Sequence, residues 1–120
     1  MRLAGLDMAW RPDRNPSGLA VGTLKSDTLT LTHWSVAQRN VNELVFELAS
    51  HTLDGIAIDA PLIINNASGQ RACEAELNRV FRSAKAGCHP SNLSLYPDAP
   101  SVALANLLRG MGFVHLGKAR

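Results

Sequence analysis

The sequence is poor in cysteine, has no long apolar run and carries little excess charge. Only Cys73 and Cys88 occur in 120 residues, too few for a disulfide-stapled secreted scaffold. The longest apolar stretches fall well short of the ~20 residues that a membrane span requires, so no membrane partner is expected. The start, Met1-Arg2-Leu3-Ala4-Gly5-Leu6-Asp7, reaches a carboxylate too early for the apolar segment of a signal peptide. Few cysteines and no export signal together favour a reducing, cytoplasmic setting. Twelve Lys and Arg against ten Asp and Glu leave a net charge of +2, which permits a nucleic-acid partner without requiring one. What is present suits one compact domain: 46% of residues are apolar, and a chain of this length buries roughly two-thirds of its unfolded surface.

Hydrophobic periodicity divides the chain into unlike elements. Leu3 to Trp10 is apolar almost throughout, as expected of a strand covered on both faces. Arg11 to Gly18 is dense in turn formers and reads as a loop. Gly18–Leu24 reads as a second strand, and Lys25-Ser26-Asp27 as a tight turn. From Thr28 to Trp34, threonines alternate with Leu29, Leu31 and His33, the period of a half-exposed third strand. The short connections make these three an antiparallel meander. Asn40 and Glu43 then form a capping-box start, and Val41, Leu44, Val45, Leu48 and Ala49 give one apolar helix face. Ile56-Ala57-Ile58-Asp59-Ala60 is a short strand that Pro61 should stop. A second helix starts near Ser68-Gly69 and buries Cys73, Leu77, Val80, Phe81 and Ala84, with Arg71, Glu74, Asn78, Arg82 and Lys85 on the other side. Gly87 to Pro97 is a loop. A third helix covers about Pro100 to Arg109 with Leu104, Leu107, Leu108 and Met111 inward, stopped by Gly110 and Gly112. Phe113-Val114-His115-Leu116 reads as a final strand. The class is α/β: a three-stranded antiparallel meander followed by parallel strands with crossover helices, because a helix between strands usually returns them parallel.

Two of these strands close on an acid. Gly5-Leu6-Asp7 ends one and Ala57-Ile58-Asp59 ends another. A carboxylate at the rim of an apolar strand is costly unless a cation, a donor or water meets it. On neighbouring parallel strands, ~4.8 Å apart, both would reach one metal ion. Hard oxygen ligands with an open coordination sphere suit Mg²⁺ or Mn²⁺. The plainer reading, an aspartate that caps a turn at each strand end, stands beside this one.

Taken in order, Gly5-Leu6-Asp7-Met8-Ala9-Trp10, Ile58-Asp59-Ala60-Pro61-Leu62, Arg71-Ala72-Cys73-Glu74 and Gly87-Cys88-His89-Pro90 resemble the predicted RNase H-like nuclease family known as domain of unknown function 429. The resemblance runs from about Leu3 to Phe113. It implies a single RNase H-like domain over residues 1–120, short of the family's C-terminal elements, since no acid follows Asp98. It also implies a metal-dependent phosphodiester hydrolase in which Asp7, Asp59 and Glu74 bind Mg²⁺ or Mn²⁺. In that reading Asp7 bridges two metal ions, Asp59 flanks them and Glu74 binds the second ion directly or through water, as two-metal hydrolysis requires.

Other residues extend or compete with this reading. Arg71, three positions before Glu74, would contact a phosphate bidentately or simply pair with Glu74. His89 would shuttle a proton at the substrate. Trp10 and Trp34 would stack on bases or cover the core edge. Cys73 with Cys88 and His89 matches no standard zinc spacing and lacks a fourth ligand. His33, His51 and His115 carry no signal in the sequence. Two alternatives remain: an actin-like nucleotide-binding domain, which Met8-Ala9-Trp10 serves poorly as a phosphate cradle, and a non-catalytic interaction module. An exposed final strand would favour a homodimer, because unpaired edges need covering.

Overall fold

The computed structural model describes residues 1–117. The chain forms two compact units, Met1–Leu62 with the segment from Pro100 onward, and Ile63–Ala99.

The first unit is built on a four-stranded mixed sheet in the order β3-β2-β1-β4, with β1 at Arg2–Asp7, β2 at Ser17–Lys25, β3 at Thr28–Ala37 and β4 at Gly55–Asp59. The meander is antiparallel, while β4 runs parallel to β1 in the register Gly5↔Ala57 and Asp7↔Asp59. The crossover between β3 and β4 carries α1, Val41–Ala49. Its capping box is complete: the Asn40 side chain accepts from the Glu43 N–H at 3.0 Å, and Glu43 Oε2 accepts from the Asn40 N–H at 2.7 Å. A further helix, Pro100–Gly110, packs against α1 and is α3 in chain order.

The core lies on one face of the sheet. Ala4 and Leu6 of β1 and Leu19 and Val21 of β2 meet Leu44 and Leu48 of α1 and Leu104 and Leu108 of α3, all buried. Burial therefore alternates along β1, with Gly5 and Asp7 exposed. A strand covered on both faces was expected; one face of the sheet is instead left open. Leu29, Leu31, Trp34 and Val36 of β3 stand on that open face, each about 60–70% exposed. Small residues on the neighbouring strands leave room beside them, and a Cβ on Gly22 would meet Leu29 Cδ1 and the Thr30 carbonyl at 3.0 Å.

A bulge interrupts β2–β3 pairing: Gly22 pairs with Leu31 but Val21 pairs with His33, which leaves Thr32 as the extra residue. Its hydroxyl donates to the Val21 carbonyl at 3.1 Å. His33 therefore shares the covered face, not the face of Leu29 and Leu31 to which simple alternation assigns it.

Two expectations of secondary structure fail. Phe113–Leu116 forms no strand; after α3 the chain turns at Gly112 (φ 96°) and continues irregularly. Phe113 packs against the core from there. The dimer edge built on that strand loses its basis. In the second unit, α2 spans Ala72–Phe81 and its only buried residue is Glu74. Cys73, Leu77, Val80, Phe81 and Ala84, expected inside, are exposed. The buried residues of this unit are mostly polar: Glu74, Ser91 and Asn92, with Ile64 and Ala99 as the apolar ones. A short 3₁₀ turn, Arg82–Ala84, follows α2.

Leu44 is fully buried while Phe46, two residues on, is 80% exposed. We expect Leu44→Ala to lower stability by about 2–5 kcal/mol and Phe46→Ala to change it by less than about 0.5 kcal/mol, as read from urea midpoints.

Candidate functional site

The β1–β4 register sets Asp7 directly beside Asp59 at the carboxyl ends of two parallel strands. The pairing is anchored at its other end by Asp54, whose carboxylate accepts from the Arg2 N–H at 2.6 Å and whose N–H donates to the Arg2 carbonyl at 2.8 Å. Beyond Asp7 the chain is held by the buried Ser17, whose Oγ accepts from the Ala9 N–H at 3.1 Å. Both aspartates are exposed, and among the described residues neither carboxylate has a hydrogen-bond or ion-pair partner. Like charges directly opposite on adjacent strands destabilise a sheet. The pair thus carries an electrostatic cost that a bound cation would remove. It stands at one end of an open groove of about 670 Å³ whose floor includes Gly5, Ala20 and Ala57 and whose side includes Trp34, a size within the ordinary range of ligand sites.

Glu74, the third acid expected at the site, lies in the second unit with its carboxylate engaged there. Oε1 accepts from Arg71 Nε at 2.8 Å and pairs with Arg71 Nη2 at 2.7 Å; Oε2 accepts from the Arg71 N–H at 2.8 Å. The Ser91 N–H reaches both oxygens at 3.1 Å. Burial pushes this carboxyl upward, but the hydrogen bonds from Arg71 and Ser91 outweigh it and hold Glu74 below its ordinary value. Arg71 also donates to the Ile63 carbonyl at 3.0 Å, so its guanidinium ties the start of the unit to α2. His89 is exposed in the loop that follows.

A second cluster was not legible in the sequence. His33 of β3, Glu47 of α1 and His51 just beyond α1 bring one ligand atom each within 4.8 Å of the others, a possible metal-binding group. His33 Nε2 is 3.5 Å from Glu47 Oε1, has no solvent access and makes no hydrogen bond. The two imidazole rings lie 4.8 Å apart. Glu47 Oε1 also accepts from the Ser35 hydroxyl at 2.9 Å and from the Arg39 guanidinium at 3.3 Å, and its Oε2 pairs with Arg39 Nε. Burial, then His33, then Arg2 lower the His51 pKa, against a raising pull from Glu47. The i,i+4 spacing of Glu47 and His51 is too common on helices to mark a site by itself, and His33 joins them only through the fold.

Residues 5–110 match the family described as Protein of unknown function (DUF429). The chain belongs to that family. No curated protein and no solved structure matches it. Membership agrees with the resemblance read from the motifs around Asp7, Asp59, Glu74 and His89, and assigns no activity to them. Among the described residues, no helix is long and apolar enough to cross a membrane.

Glu74→Ala would leave Arg71 unpaired and is expected to cost about 3 kcal/mol, as for breaking a buried ion pair. A carboxyl lowered in the folded state stabilises above its ordinary value and loses that contribution as pH falls through the folded value. The penalty measured by urea denaturation at pH 7 should therefore shrink in acid.

Proposed function

We propose that this chain is an RNase H-like domain in which Asp7 and Asp59 hold Mg²⁺ or Mn²⁺ and act on the phosphodiester bonds of a nucleic acid. The observation that carries this reading is the in-register pair of exposed carboxylates at the ends of adjacent parallel strands. The sheet order β3-β2-β1-β4, with an antiparallel meander and one parallel crossover, agrees with it. So does the usual place of ligands in α/β sheets, outside the carboxyl ends of strands.

The donor set fits a hard divalent ion: two carboxylates, open to water, with no competing cation bonded to either among the described residues. Such an ion, when bound, neutralises phosphate charge and activates water. The chain's own residues do the rest. Asp7 and Asp59 fix the ion at the strand ends. The floor of Gly5, Ala20 and Ala57 lets a nucleic-acid backbone approach the sheet, and Trp34 in the same groove offers a face on which a base can stack. Glu74 belongs to the second unit, where Arg71 and Ser91 hold its carboxylate, and the proposal rests on the aspartate pair.

Calorimetric titration of Mn²⁺ should show saturable binding to the wild-type chain and none to Asp7→Asn. In metal-free buffer, Asp59→Asn should raise stability, by up to roughly 1 kcal/mol, because it removes a like-charge neighbour. Cleavage of labelled DNA, RNA and hybrid strands by the Mn²⁺-loaded protein, lost in Asp7→Asn, completes the test. Absence of Mn²⁺ binding would sink the reading. Binding without cleavage of any strand would leave a metal-holding interaction module in place of a nuclease.

A further inference from the structure

We propose that His33, Glu47 and His51 form a second metal site, selective for a borderline divalent ion of the zinc class and independent of the aspartate pair. Three features of the cluster support a site over a chance grouping. The first is chemical: two imidazoles and one carboxylate are a donor set that zinc and its neighbours accept and that Mg²⁺ does not favour. The second is geometric. Two ligands on one tetrahedral ion, with bonds of about 2.0–2.2 Å, stand roughly 3.3–3.5 Å apart, and His33 Nε2 already lies 3.5 Å from Glu47 Oε1. His51, with every ligand atom of the group within 4.8 Å, completes the set by a small side-chain adjustment. The third is the unmet polar atom. His33 Nε2 is shut off from water and makes no hydrogen bond, an arrangement that an ion at that nitrogen would resolve.

The surroundings of the cluster have the character of a supporting shell. A ligating carboxylate needs its orientation held by outer hydrogen bonds; Glu47 is gripped by the Ser35 hydroxyl at 2.9 Å and by Arg39, which itself donates to Ser35 Oγ at 2.8 Å. The site also sits at the C-terminal end of α1, where the last turn carries no basic residue and the helix dipole favours a cation. Arg39, and Arg2 near His51, oppose the ion's charge and temper its affinity. Three protein ligands leave a position for water. Because His33 belongs to β3 while Glu47 and His51 belong to α1 and its end, a bound ion ties the outer strand to the helix.

The test is a Zn²⁺ titration of the full chain against a chromogenic chelator, in a Cys73→Ser, Cys88→Ser background so that the two exposed thiols supply no ligands. One equivalent should bind and raise the thermal midpoint. His33→Gln and His51→Gln, both at half-buried positions, should each weaken binding at least tenfold and abolish the thermal shift, with far-UV circular dichroism unchanged. Adding Asp7→Asn should leave Zn²⁺ affinity intact, which separates this site from the aspartate pair. Co²⁺ should give the visible absorption of a low-symmetry, four-coordinate ion. No saturable Zn²⁺ binding by the parent chain, or binding that persists unchanged in both histidine variants, would overturn the proposal.

Discussion

The parallel pairing of β1 with β4 is the constraint on which the rest of the first unit depends. β1 is bonded on one side to the meander and on the other to a strand that arrives only after a helix has crossed over. That single register decides two things together. It turns Ala4 and Leu6 toward α1 and α3, where they complete the core, and it brings Asp7 level with Asp59 on the open face. Because side chains alternate along a strand, the packing that stabilises the sheet and the carboxylate pair that distinguishes it are set by one choice of partners.

Much of the first unit was legible because local chemistry and tertiary context agree there. Asn40 and Glu43 announce the start of α1 and form both bonds of the capping box. Pro61 follows the end of β4, and Leu104 and Leu108 face inward as their spacing predicts, whereas Leu107 and Met111, expected beside them, are exposed. The second unit was misread because a polar interaction organises it. Glu74 was assigned to the wet face of α2 by its charge, yet Arg71 and the Ser91 N–H draw it into the centre. Periodicity weighs apolar side chains and has no means of weighing a buried ion pair. Phe113–Leu116 failed for a related reason: four residues with strand-forming side chains make a strand only beside a partner, and the chain beyond Gly112 pairs with none among the described residues.

The two ion-binding groups also divide by chemistry and by face. Asp7 and Asp59 offer oxygen alone and stand on the open side of the sheet, where water fills most of an ion's coordination. His33, Glu47 and His51 offer nitrogen and oxygen on the covered side, where Ser35 and Arg39 bond to the carboxylate and fix its orientation. An aspartate pair advertises itself in sequence because each acid closes an apolar strand. The histidine cluster does not, since its members come from two elements that only folding brings together.

The bulge at Thr32 determines which of these chemistries the third strand contributes. One additional residue inverts the parity of everything after it. Upstream, Leu29 and Leu31 point to the open face; downstream, Trp34 and Val36 do so, and His33 and Ser35 occupy the opposite side. Were Thr32 drawn into the ladder as a regular paired residue, Trp34 and Val36 would turn toward α1 and His33 outward. By looping a single threonine out of the ladder, the bulge keeps the strand in phase, giving the open groove its aromatic side chain and the covered side its imidazole.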